Sequence, residues 1–165
     1  MLRKGSDEAG SPRHSSDVAM NADNAAYILV IEDNPGDVDL LRLALDQQDQ
    51  EYELKVLRDG SEALAFVQEQ RAAAHQGPRP CVIVLDLHLP KHDGLAVLEV
   101  IRRTPALAHI HVVVLTSSAS PLEEAAVRRL GIRFYREKPI DLDEFLDVAQ
   151  QILEICNEGR RAEAA

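Results

Sequence analysis

Four polar stations stand at the ends of apolar runs in this chain: Glu32-Asp33 after YILVI, Asp86 after CVIVL, Thr116 after VVVL and Lys138 after FYRE. A strand covered on both faces reads as an apolar run without alternation. Each station therefore falls at the carboxyl end of a strand, the rim where open α/β sheets bind ligands. If the strands lie in the order 2-1-3-4-5, the first and third are neighbours, and Asp33 and Asp86 face each other. Carboxylates that close raise one another's pKa. A hard cation with oxygen ligands removes the conflict, and Mg²⁺ (or Mn²⁺) suits a site offering a few carboxylates and water. Lys138 brings a second positive charge and Thr116 a hydroxyl donor. An aspartate, a divalent ion, a lysine and a hydroxyl around one point are the parts for phosphoryl transfer. The carboxylate, ionised at neutral pH, attacks, while the cation and the donors hold the equatorial oxygens.

The elements that must position these groups follow from periodicity. CVIVLDLHLPKHDG ends a buried strand on Asp86, and Pro90 and Asp93-Gly94 turn the chain into a helix. Before it, a strand from Tyr27 ends on Glu32-Asp33, and Asn34-Pro35 supplies an N-cap and a first-position proline. A strand nearer an edge is expected over residues 52–57, with a helix after Asp59-Gly60-Ser61. Later strands are expected over 110–115 and 132–136, and later helices from Leu95, Pro121 and Asp141, with Gly131 ending the fourth. Strand and helix alternate five times with short links, which predicts a doubly wound α/β fold, a parallel sheet between helices. Residues 1–25 are expected to be a flexible N-terminal tail, 26–157 the folded domain and 158–165 a polar C-terminal tail.

Composition narrows the function. The net charge of -10 argues against nucleic acid, whose phosphates need a basic surface. No apolar run approaches the roughly 20 residues that cross a bilayer, so no membrane partner is expected. Cys81 and Cys156 lie on core faces and read as reduced thiols, which places the protein in the cytoplasm.

At ILVIEDN, VLDLHLPKHDG, VVVLTSS and YREKP, the chain resembles bacterial response regulator receiver domains over about residues 27 to 156. NPGDVDLLRLAL also resembles the single-domain regulators that work with bacterial phytochromes. The resemblance implies a flavodoxin-like (βα)5 sheet in the order 2-1-3-4-5. It implies Asp86 as phosphoacceptor, Asp33 as direct metal ligand, Glu32 as its partner through water, and the His88 backbone carbonyl as a further ligand. Thr116 matches the switch hydroxyl, Lys138 the family's lysine, and Tyr135 the aromatic that changes rotamer on activation. His88 stands where Asn or Met is frequent, and with Ser118 it is expected to set how long the phosphoryl group lasts. The Lys138-Pro139 bond is expected to be cis. The implied partners are a sensor histidine kinase, docking over the first helix near Val38 and Leu41 and over the loop after Lys138, and an unknown downstream protein.

Blander readings stand beside these. Singly, Asp86 is a cap or turn residue, Thr116 a capping hydroxyl and Lys138 a solvated lysine; their coincidence carries the weight. His109 and His111 read as exposed loop ends, and Arg102-Arg103 and Arg128-Arg129 as solvated helix ends set against the dipole. Nothing after Cys156 is long enough for an output domain, so no dedicated enzymatic domain is expected. The alternatives are a phosphorelay intermediate feeding a histidine phosphotransfer protein, and, in another class, an aspartyl-phosphate phosphatase. The phosphatase would need a second aspartate where His88 stands. A flavin carrier would need a hydroxyl-rich phosphate loop where Asn34-Pro35 stands, and the complete acidic set argues against a degenerate docking module. Finally, Val148 and Ile155 fall outside the expected core stripe of the last helix, and Phe134, on an edge strand, stands at a place commonly polar in the family the chain resembles; together they predict a homodimer surface.

Overall fold

Five parallel strands lie in the order β2-β1-β3-β4-β5: β1 (Tyr27–Ile31), β2 (Leu54–Leu57), β3 (Pro80–Leu85), β4 (Val112–Thr116) and β5 (Phe134–Glu137). The helices alternate with them: α1 (Pro35–Asp46), α2 (Gly60–Arg71), α3 (Gly94–Arg102), α4 (Pro121–Arg129) and α5 (Leu142–Ala164). The computed structural model describes residues 26–72, 75–117 and 119–164. The expected tail 1–25 and Ser118 lie outside the described residues.

Strand parity sorts the core into two layers. Leu29, Ile31, Ile83, Leu85, Val112 and Val114 face α2, α3 and α4. Ile28, Val30, Val82, Val84, Val113 and Leu115 face α1 and α5. β1, β3 and β4 are buried along their whole length, which explains why their sequences lack alternation. Asn34 caps α1, accepting from the N–H groups of Gly36 at 2.9 Å and Asp37 at 3.3 Å. Gly94 opens α3 where a Cβ would meet the Asp86 carbonyl at 2.4 Å. Only glycine lets that helix start directly beneath the Asp86 loop.

Several expectations are overturned. Val148 and Ile155 are buried within the chain, at 0% and 4% exposure, and Phe134 packs against the same layer. The three residues form no exposed patch. α5 covers the sheet while also packing against α1, so it buries a wider face than a single stripe. Val38 and Leu41 lie beside the acidic rim as expected, but both are buried, so they offer no exposed surface for docking. The segment read as a tail from 158 forms the last turns of α5. No cis peptide occurs among the described residues, so Lys138-Pro139 is trans.

Cys81 and Cys156 are core residues as expected, but they are joined in a disulfide, with Cα atoms 4.7 Å apart, that ties β3 to α5. This removes the thiol argument for a reducing compartment. Beyond it, α5 closes over the amino end of the sheet. Gly159 lies against the Cys81 carbonyl, where a Cβ would stand at 2.8 Å. Arg160 donates to the Ala26 carbonyl at 3.1 Å, Arg133 pairs with Glu158 at 3.1 Å, and Asn157 donates to Gln50 at 2.9 Å. Arg102 is no solvated helix end either. Its guanidinium donates to the carbonyls of Leu130 at 2.7 Å, Ile110 at 2.9 Å and Gly131 at 3.1 Å, locking the end of α3 to the end of α4. No described helix is long and apolar enough to cross a membrane.

Candidate functional site

Parity that runs past the strand ends delivers the acidic groups. Glu32 continues the Ile28–Val30 face and Asp86 the Val82–Val84 face, so both arrive on the α1/α5 side of the rim. Their neighbours there are apolar: Val38, Leu41, Leu115 and Phe145 line a small void of about 20 Å³ beside Glu32, Asp37, Asp86 and Lys138. Glu32 and Asp86 are buried, at 6% and 3% exposure, whereas Asp33 is exposed. Carboxylate oxygens of Glu32, Asp33 and Asp86 lie within 4.8 Å of one another.

Lys138 reaches into this cluster from the loop after β5, whose position is fixed by its own N–H donating to the Thr116 carbonyl at 2.7 Å. Its ammonium contacts Glu32 Oε2 at 2.7 Å, Asp37 Oδ2 at 2.8 Å and Asp86 Oδ2 at 3.1 Å. Asp37 is the member that sequence reasoning missed as a site residue. Its signal was its place in the first turn of α1, on the turn that faces the rim. The second Asp86 oxygen, Oδ1, accepts from the His88 N–H at 3.0 Å, and Glu32 Oε1 accepts from the Asn34 N–H at 3.0 Å.

One cation cannot neutralise three carboxylates. Burial drives the Glu32 carboxyl up to about 7 from an ordinary 4.5, and the Asp86 charge adds to this, against the pull of Lys138 and of the Asn34 N–H. Burial also works against the Lys138 charge, but hydrogen bonds to Asp37 and Glu32 overcome it and hold that ammonium well above its usual range. Burial is thus the main reason that Glu32 holds a proton, with the Asp86 charge adding to it. The carboxylates around Lys138 keep its ammonium charged, so the cluster still has a place for further positive charge. A divalent cation meets the same need. Three clustered carboxylates, two of them buried, fit a hard ion with oxygen ligands. His109 is exposed and His111 half-buried, and among the described residues no other group of acidic, histidine or cysteine side chains lies close enough to hold a metal.

Thr116 is fully buried at the end of β4. Tyr135 is half-buried, and its hydroxyl accepts from the Ser120 N–H at 3.2 Å, so its ring sits toward the start of α4. The His88 side chain, 42% exposed, lies 3.7 Å from Glu123. The structure thus brings Glu32, Asp33, Asp86 and Lys138 together, with Thr116 and Tyr135 on the two strands that follow β3 in the sheet.

The family described as the response regulator receiver domain matches residues 28–150. Response regulator Rcp1 of Synechocystis sp. is 39% identical over 125 residues, covering 76% of this chain and 84% of that protein. The solved structure of the Mn(2+)-bound form of Rcp1 superimposes with a TM-score of 0.68 at 38% identity, over 78% of this chain and 91% of that one. The phosphorylated cyanobacterial phytochrome response regulator RcpA gives a TM-score of 0.68 at 34% identity, over 79% and 93%.

Proposed function

The chain belongs to the response regulator receiver family of two-component signalling, and from that premise we propose that it accepts a phosphoryl group on Asp86 from a sensor histidine kinase. One observation carries the reading. Asp86 is a buried carboxylate held at both oxygens, by the His88 N–H and by Lys138, beside two further carboxylates within 4.8 Å. That arrangement fixes the direction in which a nucleophilic oxygen points.

Glu32, Asp33 and Asp86 would hold Mg²⁺ or Mn²⁺, with the His88 carbonyl as a further ligand. When bound, such an ion neutralises the acidic cluster and the charge on the incoming phosphoryl oxygens. The chain's own groups do the rest. An Asp86 oxygen attacks the phosphorus, the bond from phosphorus to the donor nitrogen breaks, and Lys138 shifts from the free carboxylate onto a phosphoryl oxygen. Thr116 donates its hydroxyl to another, and Tyr135 follows by leaving its outward seat. By the family resemblance, the side chains at His88 and Ser118 set the lifetime of the product.

Likeness to a phytochrome response regulator supports a bacterial phytochrome as the sensor kinase, with an unknown downstream protein reading the phosphorylated state. The aspartyl-phosphate phosphatase reading has His88 against it, where that chemistry places a carboxylic acid. The test is intact-mass measurement after incubation with acetyl phosphate and Mg²⁺. One phosphoryl group is expected on the wild type and none on Asp86→Asn. Uptake by that variant at the wild-type rate would remove Asp86 as nucleophile.

A further inference from the structure

Helix α4 opens with Ser120-Pro121-Leu122-Glu123, the spacing of a capping box, in which the glutamate folds back onto the N–H of the capping serine. Half of the box is present, the Glu123 N–H pointing to Ser120 Oγ at 3.5 Å. The other half is not. The Ser120 N–H is taken by the Tyr135 hydroxyl at 3.2 Å. Glu123 has turned away, and its Oε2 is buried without a hydrogen-bond partner, 3.7 Å from His88 Nε2. His88 in turn gives its backbone N–H to Asp86 Oδ1.

A buried carboxylate oxygen with no hydrogen bond is a costly state, kept only while its alternative is blocked. The alternative here is identifiable: the Ser120 N–H, three residues back, occupied by a tyrosine from another strand. The geometry points to Glu123 as a positioning residue with two stations. It contacts the His88 imidazole while Tyr135 caps Ser120, and it caps Ser120 itself once Tyr135 withdraws, letting go of His88. The seat of Tyr135 and the ring two residues past Asp86 are thereby coupled through one carboxylate. The consequence for a phosphoryl site rests on the receiver reading above, but the exchange itself does not.

The experiment follows the Ser120 amide by hydrogen exchange, and the His88 ring by nuclear Overhauser contacts to Glu123, in the full chain at one pH without metal or phosphodonor. In Tyr135→Phe, the Ser120 amide is expected to keep its protection within about threefold, while the His88–Glu123 contact disappears. Glu123→Ala alone also keeps the amide protected, through Tyr135. Tyr135→Phe with Glu123→Ala speeds exchange about tenfold, the loss of one hydrogen bond. Replacing that alanine by Gln, which also completes a capping box, restores protection. Fast exchange in Tyr135→Phe alone, a surviving His88–Glu123 contact in that variant, or an amide still protected in the double variant would each overturn the proposal. Since no measurement involves phosphorylation, failure here is separable from failure of Asp86 to take a phosphoryl group.

Discussion

The two ends of the sheet are built on opposite terms. At the carboxyl end, three carboxylates share one ammonium, and two of the three are buried among apolar side chains. At the amino end, the Cys81–Cys156 disulfide, the Gly159–Cys81 contact, the Arg160–Ala26 hydrogen bond and the Arg133–Glu158 pair fasten α5 across the strands. An under-neutralised rim is what the proposed site requires, since a place for a cation and a phosphoryl group must hold charge before either arrives. Functional strain of this kind persists where the surrounding structure over-determines it, and here the opposite end of the same β3–α5 pair supplies the fastening.

If that division is right, the largest loss of stability should come from the quiet end. Cys81→Ser, or reduction of the wild type, releases a crosslink spanning 75 residues and is expected to lower unfolding stability by about 4 kcal/mol. Denaturant unfolding checks the value, and phosphoryl uptake at 25 °C should be unchanged wherever the variant stays folded. A loss below about 1 kcal/mol would mean that α5 is held by packing alone.

Lys138→Ala attacks the other end. It leaves Glu32, Asp37 and Asp86 facing one another, with an expected cost of about 3 kcal/mol in metal-free buffer. Mg²⁺ should return most of that loss, raising the melting temperature of the variant more than that of the wild type. Equal metal responses would show that the ammonium and the cation do not answer the same charge deficit.

The smallest effect is the pH response of the rim. Glu32 titrates near 7 when folded against 4.5 when unfolded, so the folded chain holds that proton more tightly. The resulting stabilisation of the metal-free protein is complete below about pH 4.5 and is lost as pH rises through about 7. Divalent binding runs the other way, because the proton competes, and affinity should fall about tenfold for each unit below pH 7. Isothermal titration between pH 5.5 and 8 measures this, and Glu32→Gln should flatten the dependence.

Sequence by itself determined whatever is written in local period. Unbroken apolar runs marked β1, β3 and β4 as buried, and their last residues marked Asp86 and the Glu32-Asp33 pair as rim groups. Asn34-Pro35 and Pro121 started helices, and Gly131 (φ +70°) ended one. The strand order followed from the resemblance. Tertiary structure alone decided what depends on two elements meeting. Asp37 joined the site because Lys138 arrives 101 residues later. Val148 and Ile155 became core because α5 packs on α1 and the sheet together, a face wider than periodicity assigns. Cys81 met Cys156 only where β3 meets α5, and Arg102 met four carbonyls only where the end of α3 nears the end of α4 and the loop before β4. The Ser120 N–H meets the Tyr135 hydroxyl, and not the Glu123 carboxylate, because β5 brings that ring to the start of α4. Spacing along the chain fixes which face a side chain occupies, but a contact across elements is set by the distance and angle at which those elements pack, and no local pattern encodes these.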